Sequence, residues 1–191
     1  MRRKTFLNRL TWGGGAAVLL PSIGLLQSCE YKPKVRTLLS EDDIPLLDEI
    51  SETMLPATAQ VPGARAAQVG DYLLLMYRDC MADEDRQVFV NGINEIDRRA
   101  AENFSNSFVD AEVSQQLELL NTIQTEAIAH NLVQKDVKKP APHYFDLLKG
   151  LTISGYFTSE IGMTQARNYL PVPGKFESCI PYEKGDRPWA T

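Results

Sequence analysis

The residue with the clearest chemistry near the start of the chain is Cys29, which ends the sequence Leu26-Gln27-Ser28-Cys29. A leucine, a small serine and then a cysteine resemble a bacterial lipobox, in which the cysteine thiol is acylated and becomes the mature N-terminus. The alternative is an ordinary cysteine beside a cleavage site. The position of Cys29 at the end of an apolar stretch favours acylation.

The 28 residues before Cys29 have the parts of an export signal. Residues 1–9 hold four basic and no acidic residues, and an apolar stretch rich in glycine follows over 10–26. A membrane span needs about 20 strongly apolar residues, so a cleaved signal is favoured over a span. The segment also resembles a twin-arginine signal, which exports folded proteins, through Arg2, Arg3, Lys4, Phe6 and Leu7. Ordinary unfolded export is the alternative, because two residues rather than one separate Arg3 from Phe6.

Behind the signal, few residues are arranged for catalysis. Ser159 and Glu160 are adjacent, but the Gly-x-Ser-x-Gly turn of a hydrolase is missing, so a structural role at a helix end is preferred. His130 and His143 lie on different predicted elements, whereas a metal site needs three or four converging ligands. Surface or capping roles are expected for both. The sequence therefore predicts no catalytic, cofactor-binding or metal-binding residue in this chain.

Cys80 and Cys179 are the thiols that remain besides Cys29. In an oxidising compartment they either form a disulfide or are two separate buried core residues, and the sequence leaves both open. The export signal contains four of the 20 basic and none of the 25 acidic residues, so the remaining 163 residues carry a net charge of about −9. Such an acidic chain is a poor candidate for nucleic-acid binding.

The elements that must position these residues are helices. A capping box at Ser40 predicts a first helix that ends before Pro56. Four more helices are predicted from about Ala66 to Cys80, from Asp83 to Phe104, from Asp110 past Ala127, and from Pro142 to about Phe157. In the fourth, spacing predicts an inward face of Val113, Leu117, Leu120 and Ala127.

No segment alternates with period two, so the sequence predicts an all-α fold with no sheet. The predicted organisation is an export signal over 1–28, a tether over 29–39 and a single domain of about five helices over 40–191. This domain ends in an extended, Pro-rich C-terminal tail.

Two further stretches carry a family resemblance. The first runs Leu55-Pro56-Ala57-Thr58 and continues with Pro62-Gly63-Ala64 and Ala66-Ala67. The second covers 151–163, reads Leu-Thr-Ile-Ser-Gly-Tyr-Phe-Thr-Ser-Glu-Ile-Gly-Met, and continues through Tyr169 and Gly174 to Cys179. Together they resemble the gluconate 2-dehydrogenase subunit 3 family over about residues 40–182.

The resemblance implies a non-catalytic small subunit of a membrane-bound, GMC-type dehydrogenase of sugars or sugar acids. FAD and the catalytic base belong to the large subunit, and a cytochrome subunit with haem c often accepts the electrons. The small subunit is similar to an escort, lipid-anchored on the periplasmic side of the bacterial cell envelope. The candidate contacts with the large subunit are Tyr156, Phe157, Ser159, Glu160, Met163, Tyr169, Pro171 and Pro173.

Two other functions remain open on the sequence. The first is a free-standing periplasmic lipoprotein that binds a carbohydrate or a protein partner. The second is an enzyme in its own right. Purification with or without an FAD-containing companion distinguishes them.

Overall fold

The computed structural model describes residues 31–138, 140–172, 174–175 and 179–190. The predicted export signal, Cys29 and Pro173 lie outside the described residues. Five α-helices occur in the described part: α1 (Ile44–Met54), α2 (Val69–Leu75), α3 (Asp83–Phe104), α4 (Val113–Val133) and α5 (Tyr144–Thr158). Shorter helical turns are a 3-10 turn at Glu41–Asp43 and π-helical turns at Met76–Cys80 and Gly162–Ala166.

The all-α prediction is confirmed: between residues 31 and 190, the described backbone forms no strand beyond an isolated bridge from Asn168 to Trp189. None of the described helices is long and apolar enough to cross a membrane. The first helix begins as its capping box predicts, because the Asp43 carboxylate accepts the Ser40 backbone N–H at 3.0 Å.

The second helix starts later than its apolar pattern predicts. Gln68 has a φ of 55°, so regular helix begins only at Val69. The π-helical turn at Met76–Cys80 then adds an extra residue to the last turn. Cys80, the last residue of this turn, is exposed.

The core is formed where α1 and α5 pack around α2, with α3 and α4 closing the other sides. Apolar side chains from all five helices are almost fully buried there, and burial of this kind is the main force that stabilises a domain. The largest of them are Leu47, Ile50, Leu73, Phe89, Ile93, Ile96, Ile123 and Leu148. Helices α3 and α5 approach closely at Gly92, where an added Cβ would clash with the ring of Tyr144.

The predicted inward face of α4 is partly wrong. Leu120 and Ala127 are buried, but Val113 is 71% exposed and Leu117 is 49% exposed. The helix has turned so that Gln116 faces inward, where its amide nitrogen donates to the Phe108 carbonyl at 2.8 Å. Apolar residues occur on two sides of α4, and only packing decides which side is buried. The outer row consists of Val113, Leu117, Ile128 and Leu132.

A buried ion network joins the segment before α1 to α3. The Arg36 guanidinium donates to the Asp43 carboxylate at 2.7 Å and to the Asp97 carboxylate at 3.2 Å. The backbone of Arg36 is held as well: Asn94 accepts its N–H at 2.9 Å and donates to its carbonyl at 2.7 Å. Residues 34–39, which the sequence assigns to a tether, are thus docked on the folded domain.

Each carboxylate of this network also anchors backbone. Asp97 accepts the Phe108 N–H at 3.3 Å, which ties the turn between α3 and α4 to the same charge cluster. Burial alone would raise the pKa of Asp43, but hydrogen bonds from Arg36, Ser40 and Lys34 outweigh it and hold that pKa below its ordinary value. Asp43 therefore stabilises the fold above its unfolded pKa, and this contribution is lost as the pH falls through its folded pKa.

We expect Arg36→Met to destabilise the domain by about 3–5 kcal/mol, because it removes the buried guanidinium that two buried carboxylates share and leaves Asp43 with the partly exposed Lys34. The measurement is urea unfolding followed by circular dichroism. Arg78→Met is the matched control, since Arg78 pairs with Asp79 on the surface, where ion pairs contribute little to stability. Equal midpoints for the two variants would contradict a stabilising role for the network.

Candidate functional site

The two stretches that carry the family resemblance meet in space. The Tyr156 hydroxyl on α5 donates to the carbonyl of Pro62 at 2.7 Å, across 94 residues of sequence. The Tyr156 side chain is 5% exposed, because Pro62 lies on the loop between α1 and α2 that covers it. Tyr156, predicted as a partner contact, therefore has a structural partner within this chain.

The loop between α1 and α2 is shaped by one carboxylate. Glu52 accepts the backbone N–H of Ala57 at 2.9 Å and that of Arg65 at 2.8 Å. A Cβ on Gly63 would clash with the Glu52 carboxylate, so only glycine fits between these bonds. A glycine at position 63 is thus required by the path of the loop.

Ser159 and Glu160 lie where α5 ends, and the hydrogen bonds there show the role of Ser159. The Ser159 hydroxyl donates to the Tyr156 carbonyl at 2.7 Å and accepts the Gly162 N–H at 3.0 Å. A Cβ on Gly162 would overlap the Tyr156 carbonyl oxygen, so a side chain cannot be accommodated. Ser159 therefore satisfies backbone groups where α5 ends, as the sequence predicts, and the Glu160 side chain is exposed.

Of the remaining predicted partner contacts, those earlier in the chain are half-buried and those later in the chain are exposed. Phe157 lies under the Arg167 guanidinium, whose carbon is 4.5 Å from the ring centroid, and Met163 is half-buried. Tyr169 is 44% exposed and Pro171 is exposed. Pro173 lies outside the described residues.

Residues 168–189, which we call the C-terminal loop, are closed at their base by backbone hydrogen bonds. The Asn168 N–H donates to the Pro188 carbonyl at 2.9 Å, and the Ala190 N–H donates to the Asn168 carbonyl at 2.9 Å. Along this loop many apolar side chains face solvent. They are Tyr169, Leu170, Val172, Ile180, Tyr182 and Trp189. Exposed apolar side chains gathered in one segment are typical of a binding surface.

Cys80 and Cys179 are both free and both exposed. The structure therefore contains neither of the two arrangements that the sequence left open, a disulfide or two buried thiols. Cys80 faces solvent because it ends the π-helical turn after α2, and Cys179 lies within the C-terminal loop.

The structure brings together the two histidines that the sequence placed on separate elements. The ring centroids of His130 on α4 and His143 before α5 are 5.3 Å apart. His143 is a capping residue, as expected, because its Nδ1 accepts the Phe145 N–H at 3.2 Å. Within residues 31–190, the described side chains include no group of three or more His, Cys, Asp or Glu placed to hold a metal ion.

The comparison with known families decides the assignment. A profile of gluconate 2-dehydrogenase subunit 3 matches residues 41–174. The chain belongs to this family. The match runs from the 3-10 turn before α1 to the first part of the C-terminal loop, and it confirms the resemblance seen in the two sequence stretches. No curated protein and no solved structure is similar enough to the chain to match it.

Membership of the gluconate 2-dehydrogenase subunit 3 family gives these observations a context. The family is an accessory subunit of a gluconate 2-dehydrogenase-type complex. The two stretches contribute structural contacts here: Tyr156 joins the end of α5 to Pro62 of the α1–α2 loop, and Ser159 and Gly162 bond each other where α5 ends. The sequence stretches could be recognised without the structure, but the bond between Tyr156 and Pro62 could not.

The histidine pair makes the stability of the domain depend on pH. Burial, followed by the proximity of His130, lowers the pKa of His143, while Asp146 and Glu126 oppose the shift. The pKa of His143 is lower in the folded than in the unfolded chain, so neutral His143 stabilises the fold. This stabilisation is fully present above about pH 6.5 and is lost as the pH falls below that value. Protonation also removes the Nδ1 acceptor that caps α5.

We expect the thermal midpoint of the domain to decrease when the pH is lowered from about 7.5 to about 5.5. The decrease should be smaller in the His143→Asn variant. Asparagine keeps a capping acceptor but does not titrate. The measurement is differential scanning calorimetry at both pH values. An identical pH dependence in the two proteins would show that His143 does not contribute.

Proposed function

We propose that this chain is the non-catalytic small subunit that escorts, exports and membrane-anchors a GMC-type FAD-dependent dehydrogenase of sugars or sugar acids. The observation that carries the proposal is the family match, which extends over residues 41–174 of the helical domain. In this proposal FAD and the catalytic base belong to the large subunit. Haem c, where the complex contains it, belongs to a cytochrome subunit.

The export signal supports the escort role on physical grounds. A flavoprotein that acquires FAD in the cytoplasm is folded before it crosses the membrane, and the twin-arginine route exports folded proteins. A small subunit with its own signal can carry a passenger that has none. Arg2, Arg3 and Lys4, with Phe6 and Leu7, supply such a signal in this sequence.

The lipid anchor supports the membrane role. Acylation of Cys29 would hold the small subunit, and with it the complex, on the periplasmic side of the cell envelope. A single acyl chain gives only marginal binding, whereas the two or more chains of a lipoprotein cysteine give stable attachment. The passenger then needs no membrane segment of its own.

The C-terminal loop is the surface that we propose for contact with the large subunit. Its exposed aromatic and aliphatic side chains, among them Tyr169 and Leu170, resemble those at the centre of protein interfaces. Backbone hydrogen bonds of Asn168 with Pro188 and Ala190 close the loop at its base.

The first test is co-purification from membranes. The wild-type chain should be isolated with a flavoprotein that shows FAD absorbance and oxidises a sugar or a sugar acid. The double variant Tyr169→Ser, Leu170→Ser should retain roughly tenfold less flavoprotein, because it removes two apolar anchors. Val133→Ser with Val137→Ser, which removes exposed apolar side chains at the end of α4, is the matched control. Isolation of the wild-type chain without any FAD-containing companion would contradict the proposal.

The second test concerns export. Changing Arg2, Arg3 and Lys4 together to Gln should leave the flavoprotein in the cytoplasm, because the signal loses its recognised charges. Sugar oxidation is measured in separated membrane and cytoplasmic fractions, and it should move from the first to the second. Undiminished oxidation at the membrane in this variant would rule out escorting.

A further inference from the structure

Two large apolar side chains face solvent in the segment that precedes the helices. Val35 is 84% exposed and Leu38 is 70% exposed, although Arg36 is 9% exposed and Leu39 is 8% exposed. The segment therefore points one set of side chains into the domain and another set outward. The outward set is not used by the core or by the ion network.

The segment is bonded to the domain through Arg36. Its guanidinium bonds Asp43 and Asp97, and its backbone N–H and carbonyl both pair with the side chain of Asn94. Val35 and Leu38 are therefore fixed relative to α3, although they lie in a stretch without regular secondary structure. A freely mobile tether would not define such a surface.

The distance along the chain to the predicted lipid is short. Only six peptide units separate Cys29 from Val35, and a fully extended chain spans about 3.5 Å per residue. If Cys29 carries the acyl chains, Val35 stays within about 20 Å of the bilayer surface. A flexible linker of this length is more compact still, with a mean span of about 14 Å.

We propose that Val35 and Leu38 lie against the bilayer that holds the lipid of Cys29, so that the domain keeps one fixed face toward the membrane. This inference rests on the lipid anchor of the proposed function and adds an orientation to it. An apolar pair held at the interface loses contact with water when it enters the boundary between headgroups and acyl chains.

The charges around the pair indicate which lipids are needed. Lys32 and Lys34 precede it and are exposed, although Lys34 also pairs with Asp43 at 3.1 Å. Glu41 and Asp42 follow it and are exposed too. Positive and negative charges therefore roughly balance near the contact. The attachment should depend on the apolar side chains and should form on a zwitterionic bilayer.

The test uses tryptophan fluorescence in vesicles. The acylated full-length protein carries Trp189→Phe, which removes the last tryptophan after signal cleavage. Val35→Trp is compared with Val133→Trp, because both valines are 84% exposed but only the first lies on the docked segment. Each protein is reconstituted into phosphatidylcholine vesicles with and without bromine on the acyl chains, and the mass of the purified protein reports whether Cys29 is acylated.

We expect bromine to reduce the emission of the Val35→Trp protein by about half, as for a side chain at the acyl boundary, and to leave that of the Val133→Trp protein unchanged. Equal emission changes in an acylated protein would overturn the orientation while leaving the anchor intact. An unmodified mass would overturn the anchor and the orientation together. A third outcome is that brominated lipid does not quench the tryptophan of the Val35→Trp protein because the flavoprotein shields it. Val35 and Leu38 would then contact the partner and not the bilayer, which also overturns the inference.

Discussion

The burial of one guanidinium organises the N-terminal half of this domain. Arg36 can be buried only because Asp43 and Asp97 neutralise it and Asn94 pairs with its backbone. The same carboxylates bond the start of α1 and the turn before α4, so three separate segments share one charge cluster. Removing Arg36 takes the shared guanidinium from two buried carboxylates, and this loss is far more costly than the loss of a surface pair.

Helix α4 has large apolar side chains both in the core and in solvent. Its inner side is closed by Leu119, Leu120 and Ile123, together with Gln116, whose amide is satisfied by Phe108 and Glu49. Its outer row keeps large aliphatic side chains in solvent. The C-terminal loop likewise exposes aromatic side chains, among them Tyr169 and Trp189, to solvent. Exposed apolar side chains of this kind fit a family whose members are subunits of a larger complex.

The structure separates the residues that maintain the fold from those available to a partner. Tyr156, Ser159 and Gly162 belong to the first group, because each is bonded or packed against the backbone within the chain. Tyr169 and Pro171 belong to the second, because they are exposed on the C-terminal loop. Members of this family are accessory subunits of a dehydrogenase complex. A chain of this kind therefore does not need catalytic residues of its own.

The sequence by itself determined the helical class, the first capping box, the extent of α3 and the family, because each depends on local spacing or on short motifs. It also identified Ser159 as a residue that satisfies the end of a helix. Only the tertiary structure decided which side of α4 is buried, that Tyr156 meets Pro62, that His130 meets His143, and that Arg36 lies inside. Each of these depends on contacts between residues distant in sequence. Local periodicity carries no information about which of two apolar faces, or which distant polar partner, the packed chain will select.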